Sequence, residues 1–155
     1  NPAQAKRQLI GVYSKSLMKI IAETLIKLGT ERAMVIHSAD GMDEISIYDK
    51  THVIEINNSK MNSYEIDPRD YFICNSTIAD IKVNDSEQSL EMMLSVIKNK
   101  DTPARMIALL NAAALVYISG KSETISDAVK ICENALKSKS VDIKVNELIR
   151  LTNSF

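Results

Sequence analysis

Glycine is scarce: the 155 residues hold 4 of them, at positions 11, 29, 41 and 120, and none are clustered. A glycine-rich phosphate cradle, GxGxxG or P-loop, is therefore excluded within this stretch, because such cradles need neighbouring glycines to bring backbone N–H groups onto phosphate. Nor is there an HExxH or a GxSxG, so a zincin helix and a nucleophile elbow are both missing. The 2 cysteines, Cys74 and Cys132, have no CxxC spacing and no nearby histidine pair. This argues against a zinc site or a disulfide framework, and reduced thiols fit a cytoplasmic setting. No charge of one sign dominates, since 19 basic and 20 acidic residues leave a formal net charge of -1. Neither nucleic acid nor an anionic membrane is implied as a partner. Long apolar runs are absent too: "IALLNAAALVYI" is too short for a membrane span and is broken by Asn111. The chain opens on "NPAQAKRQ", with no signal-peptide apolar region and no initiating methionine, which points to a start set by processing or by a cut.

A hydrophobic content of 45% and a charged content of 25% are those of an ordinary globular protein, and the length suits one domain over 1–155. "QLIGVYS" (8–14) reads as a buried strand. Leu17, Ile21, Leu25 and Leu28 then form an apolar helical stripe, with Gly29 as its C-cap. "RAMVIHS" (32–38) reads as a second strand, completing a βαβ unit with parallel strands and a right-handed crossover. "EISIYD", "THVIEIN" and "MNSYEID" read as three shorter β segments, followed by an irregular connection over 67–85. From Asp85 the period becomes helical. Asp85 with Gln88, Thr102 with Pro103, and Thr124 with Asp127 mark three helix starts, and a last helix begins near Val141. The expectation is a three-layer α/β domain with a mixed parallel/antiparallel sheet and flanking helices.

The chemistry concentrates in "VIHSADGMDEIS" (35–46), which places Asp43 and Glu44 side by side in a turn containing Gly41. Adjacent residues of a regular strand point to opposite faces, so the two carboxylates can share a ligand only where the backbone is irregular. An acidic loop is ordinarily solvated surface. This one, however, follows a parallel strand at its C-terminal end, the edge where open α/β sheets bind ligands. Two hard carboxylate oxygens suit Mg2+, which keeps several waters and completes its shell with substrate phosphates. His37, at the same strand end, reads most simply as a structural histidine; His52 is given no role. Lys98, Lys100 and Arg105 read as solubilising surface, and the 7 methionines as core fillers.

In order, "NPA", "RQLIGVYS", "MVIHSADGMDEIS" and "ARMIALLNAAALVYISG" resemble the C-terminal half of the anthranilate phosphoribosyltransferases across essentially the whole chain. The resemblance implies an α/β domain of the nucleoside phosphorylase/phosphoribosyltransferase type. It implies a glycosyltransferase activity in tryptophan biosynthesis, moving phosphoribosyl from phosphoribosyl pyrophosphate to anthranilate with release of pyrophosphate. By motif match, Asp43 and Glu44 take the family's Mg2+-binding role, and Asn1, Pro2 and His37 fall among substrate-lining positions. The family usually reads Val-His-Gly before its Asp-Gly-x-Asp-Glu; here Ser38 stands in place of that glycine and Ala39 follows. The family's N-terminal helical region, its glycine-rich loop and an anthranilate-contacting arginine would all lie upstream of Asn1. The expectation is therefore a C-terminal fragment of a longer enzyme, inactive alone and with no catalytic residue of its own. A homodimer would belong to the complete enzyme only, since the family's dimer contacts lie in the helical region. Two rival readings stand beside this one: a related pyrimidine nucleoside phosphorylase, and a non-catalytic α/β interaction module.

Overall fold

The computed structural model describes residues 3–154. Strands β1 (Arg7–Gly11) and β2 (Arg32–Ser38) pair in parallel, with Leu9 opposite Met34 and Gly11 opposite Ile36. Helix α1 (Met18–Lys27) makes the crossover, entered through a 3-10 turn at Lys15–Leu17 and closed by Gly29 at φ +77°. The 3-10 turn winds the chain more tightly than an α-helix and rotates the apolar stripe. Met18, Ala22 and Leu25 are the buried positions, while Leu28, read as part of the stripe, lies past the helix end and is 71% exposed.

Strands β3 (Thr51–Asn57) and β4 (Lys60–Ile66) continue the sheet antiparallel, giving the order β1-β2-β3-β4. Asn58 and Ser59 join them, both at positive φ (47° and 65°), the backbone that lets a two-residue hairpin match the strands' twist. The expected strand "EISIYD" does not form: residues 44–49 are irregular. Ile45, Ser46 and Ile47 are all buried, and side chains satisfy the backbone here in place of a ladder. Ile45 N–H donates to Asn111 Oδ1 (2.9 Å), Ser46 N–H to Thr51 Oγ1 (3.1 Å) and Tyr48 N–H to Ser46 Oγ (2.9 Å).

The sheet is covered on both faces. Ala33, Val35 and Ile56 pack with Ala22 and Leu25 of α1, while Met34, Ile36, Val53 and Ile66 pack under the helices of the second half. In that half, α2 (Ser86–Ile97), α3 (Pro103–Ile118), α4 (Ile125–Lys137) and α5 (Ser140–Thr152) follow in order. Asp85, Thr102 and Thr124 cap the first three as read, accepting from the N–H of Gln88, Arg105 and Asp127. Such a cap contributes about 1 kcal/mol. Helix α3 is the central one: Leu110, Ala113 and Ala114 are fully buried, and the two alanines let it approach the sheet closely. Together these layers make the mixed three-layer α/β architecture expected.

A polar cluster fastens α3 to the sheet. Tyr117 Oη and Tyr64 Oη each donate to the Glu55 carboxylate at 3.0 Å, and Arg32 Nη2 lies 3.4 Å from it. The Arg32 guanidinium also sits 4.9 Å from the centre of the Tyr117 ring. Burial first, and then the Glu55 charge, push the Tyr64 hydroxyl well above its ordinary range. Tyr117 is raised by burial and by the same carboxylate. A phenol raised on folding holds its proton more tightly in the native state. Its contribution is therefore complete below the unfolded value of about 10 and is lost as pH rises above it. Thermal melts at increasing pH should show stability falling from about pH 10, and Tyr64→Phe should blunt that fall while lowering stability at neutral pH. An unchanged alkaline slope in Tyr64→Phe would remove Tyr64 from the account.

Candidate functional site

The segment after β2 is held by its own short-range bonds. Gly41 N–H donates to Ser38 O (3.0 Å), Ser38 N–H to Met42 O (2.9 Å) and Met42 N–H to Asp40 Oδ1 (3.2 Å). Ser46 Oγ donates to Asp40 Oδ2 at 2.5 Å. Gly41 takes φ +92°, the left-handed backbone a glycine reaches without strain. Ser38 is fully buried with its hydroxyl 3.4 Å from Lys50 O. The turn is thus closed around buried Ser38, Ser46 and Thr51, and it raises Asp43 and Glu44 on its rim.

Both carboxylates are exposed, and no hydrogen bond or ion pair engages either among the described residues. Beneath them β1 ends at Gly11, where a Cβ would lie 1.5 Å from the Asp43 carbonyl oxygen. Only a residue without a side chain lets the acid-bearing backbone rest on the strand end. Beside this contact, His37 Nδ1–H donates to Val12 O at 2.8 Å. That bond fixes the neutral tautomer and leaves Nε2 as the acceptor. His37 is half-buried and lies opposite His52 in the β2–β3 register. His52 in turn is engaged on both sides, its Nδ1 3.0 Å from Glu65 Oε1 and its Nε2 3.1 Å from Lys15 Nζ. Asn1 and Pro2 lie outside the described residues. Arg105 is committed to Asn99 (2.7 Å) and lies 3.7 Å from Glu133, so it is no free anion contact.

Among the described residues no group of three or more histidine, cysteine or acidic side chains could hold a metal by itself. Two free carboxylates still fit a hard cation whose remaining positions are filled by water and phosphate, the usual state of Mg2+. They fit poorly with zinc, which prefers a closed set of nitrogen and sulfur ligands. Among the same residues, no helix is long and apolar enough to cross a membrane.

Residues 1–140 match the model of the glycosyl transferase family, a/b domain. The chain belongs to that family. The resemblance read from "NPA", "MVIHSADGMDEIS" and "ARMIALLNAAALVYISG" holds in the same direction. Over 153 residues the chain is 37% identical to the anthranilate phosphoribosyltransferase of Nitrosomonas eutropha, matching 99% of the chain and 45% of that protein. It is 40% identical over 157 residues to the enzyme of that name from a Marinomonas species, again 45% of the relative. The chain thus spans about half the length of the curated relatives it matches. In fold it is similar to the anthranilate phosphoribosyltransferase of Thermus thermophilus, at TM-score 0.84 and 24% identity over 95% of this chain and 43% of that one. It is equally similar to that of Saccharomyces cerevisiae in complex with PRPP and Mg, at TM-score 0.84 and 18% identity over 96% of this chain and 43% of that one.

Two positions that build this rim of the glycosyl transferase domain went unassigned in the sequence reading. Gly11 reads as part of a strand, with no local sign of the backbone it meets. Asn111 was visible as the one polar residue in an otherwise apolar helix stretch, a pattern that flags a buried hydrogen-bonding role. Replacing Gly11 tests the contact directly. Gly11→Ala should displace the Asp43 backbone and cost about 1–3 kcal/mol of stability. Amide chemical-shift changes should centre on residues 41–45, and a variant with wild-type shifts there would show that the strand end does not support the loop.

Proposed function

We propose that this chain is the carboxylate-bearing α/β part of an anthranilate phosphoribosyltransferase, a glycosyltransferase of tryptophan biosynthesis. It would transfer phosphoribosyl from phosphoribosyl pyrophosphate to the amine of anthranilate and release pyrophosphate. The observation that carries this reading is the pair of exposed, unpartnered carboxylates on a clamped loop at the C-terminal edge of parallel strands. The relatives bearing that name across 99% of the chain give it a substrate class. The yeast neighbour's complex with PRPP and Mg is in keeping with it.

Asp43 and Glu44 would hold Mg2+ through their carboxylate oxygens. When bound, the metal offsets the charge that grows on a pyrophosphate leaving group. The chain's own part is to hold two like charges on a rigid backbone, because unsupported they would repel each other and also phosphate. His37 would line the substrate side of the same edge, and by motif match Asn1 and Pro2 are further candidate lining residues. No nucleophile is required, since the amine of the acceptor attacks the sugar carbon directly.

The second half of the proposal concerns completeness. The relatives are about twice as long, and the 155 residues contain no clustered glycines to cradle pyrophosphate. The rest of the site, and any homodimer, would come from sequence outside these residues, and the chain alone should be silent. Loss of anthranilate fluorescence in the presence of phosphoribosyl pyrophosphate and Mg2+ measures this. The isolated chain should give no turnover, and robust turnover would sink the fragment reading. In a protein carrying the complete site, Asp43→Asn with Glu44→Gln should lower kcat/KM on the order of 10²-fold or more. Activity within a few-fold of wild type would remove the metal assignment.

A further inference from the structure

We propose that Asn111 is a positioning residue for the acid pair: its side-chain amide, standing in for a missing strand, fixes the backbone that carries Asp43 and Glu44. The inference rests on the metal reading of that pair.

Asn111 lies in α3, 66 residues from the loop it contacts. Its Oδ1 accepts from Ile45 N–H at 2.9 Å, and its Nδ2 donates to Ile45 O at 2.9 Å. The second Nδ2 proton goes to Ile107 O at 3.0 Å, one turn back in the same helix. Both amide protons are thus used, and the flipped amide would set Nδ2 against the Ile45 N–H. The two bonds to Ile45 copy those a neighbouring strand residue would make. They also fix both the position and the tilt of the peptide that follows Glu44.

Ile45 is fully buried, so its N–H and C=O would be orphaned without this amide. Aspartate at 111 would set an acceptor against the carbonyls of Ile45 and Ile107. Leucine or alanine would leave Ile45 unpaired. Only the carboxamide presents an acceptor and two donors in this arrangement. On the other side of the acid pair, the Asp43 carbonyl sits against Gly11. Asp43–Ile45 is therefore gripped at both ends, and two repelling carboxylates are held ready for a cation. Removing one grip lets the charges splay, which lowers metal affinity without touching a ligand.

The test uses the 155-residue chain with inorganic pyrophosphate present to complete the cation's shell, and Mn2+ as a paramagnetic probe in place of Mg2+. Unsubstituted chain, Asp43→Asn/Glu44→Gln, Asn111→Ala and the volume-conserving Asn111→Asp are compared by Mn2+ titration and by amide hydrogen exchange. Both Asn111 variants should bind Mn2+ roughly tenfold or more weakly, the range for losing a group that orients a metal ligand. Exchange at the Ile45 amide should accelerate, while β2 and α3 amides keep their protection, which separates a local effect from unfolding. The double carboxylate variant should lose Mn2+ binding with exchange at Ile45 unchanged. Asn111 variants that retain Mn2+ affinity, or that leave Ile45 exchange as it was, overturn the positioning role. Absence of Mn2+ binding in the unsubstituted chain, or binding that survives the double variant, overturns the metal reading instead, and the exchange arm still decides whether Asn111 holds the loop.

Discussion

Parallel strands can pair only if the chain crosses over between them, and the crossover buries one face of both. In this protein α1 takes that face of β1 and β2, and α3 with α4 takes the other. With both faces occupied, the strand ends are where the pair can meet a ligand. The loop after β2 inherits that position from topology. Its acidic residues can stay exposed, without partners, because the hydrophobic segment immediately following them is driven into the core beneath α3.

That segment creates a local problem of its own. Ile45, Ser46 and Ile47 are all buried, yet among the described residues no strand pairs with them. Buried backbone groups must be paired, and here hydroxyls and one carboxamide do what a ladder does elsewhere. Thr51 and Ser46 serve the turn from within, and Asn111 serves it from the opposite layer. Side-chain pairing is discrete, bond by bond. Such bonds hold the loop's backbone in a defined geometry, which the proposed metal site would require.

These origins explain what could be read from the sequence. β2 was legible to the residue, because its apolar run is bounded by Gly29-Thr30 on one side and a polar turn on the other. The starts of α2, α3 and α4 were legible because a cap is a contact over three residues. The edge location of Asp43 and Glu44 followed from the βαβ rule alone. What misled was "EISIYD", whose alternation is that of a strand. Its partner is a side chain 66 residues away, which no local window contains. Gly11 is the same case in reverse, a glycine whose reason is a carbonyl on another segment. His52 looked idle because its partners, Lys15 and Glu65, come from two other elements.

Helix α3 ties these observations together. Tyr117 fastens it to Glu55 of β3 in the middle of the sheet, and Asn111 fastens it to the acid loop at the sheet's edge. Six residues separate them, about 9 Å of helix. A helix fully hydrogen-bonded along its length does not stretch over that distance. The spacing between the Glu55 cluster and the loop is therefore set by helix geometry and not by the loop's own stiffness. Arg7, donating to Ser119 O at the helix's C-terminal end, adds a third attachment from β1. Hydrogen bonds to a carboxylate contribute roughly 1.5–3 kcal/mol each, more than neutral ones. Tyr117 makes the mid-sheet attachment through one such bond, while Asn111 makes the edge attachment through two neutral bonds to Ile45. Loss of the Glu55 cluster would remove one attachment of a helix that buried Leu110, Ala113 and Ala114 still seat in the core. Loss of Asn111 alone would leave the helix seated and free only the loop, which separates the stability of this domain from the placement of its carboxylates.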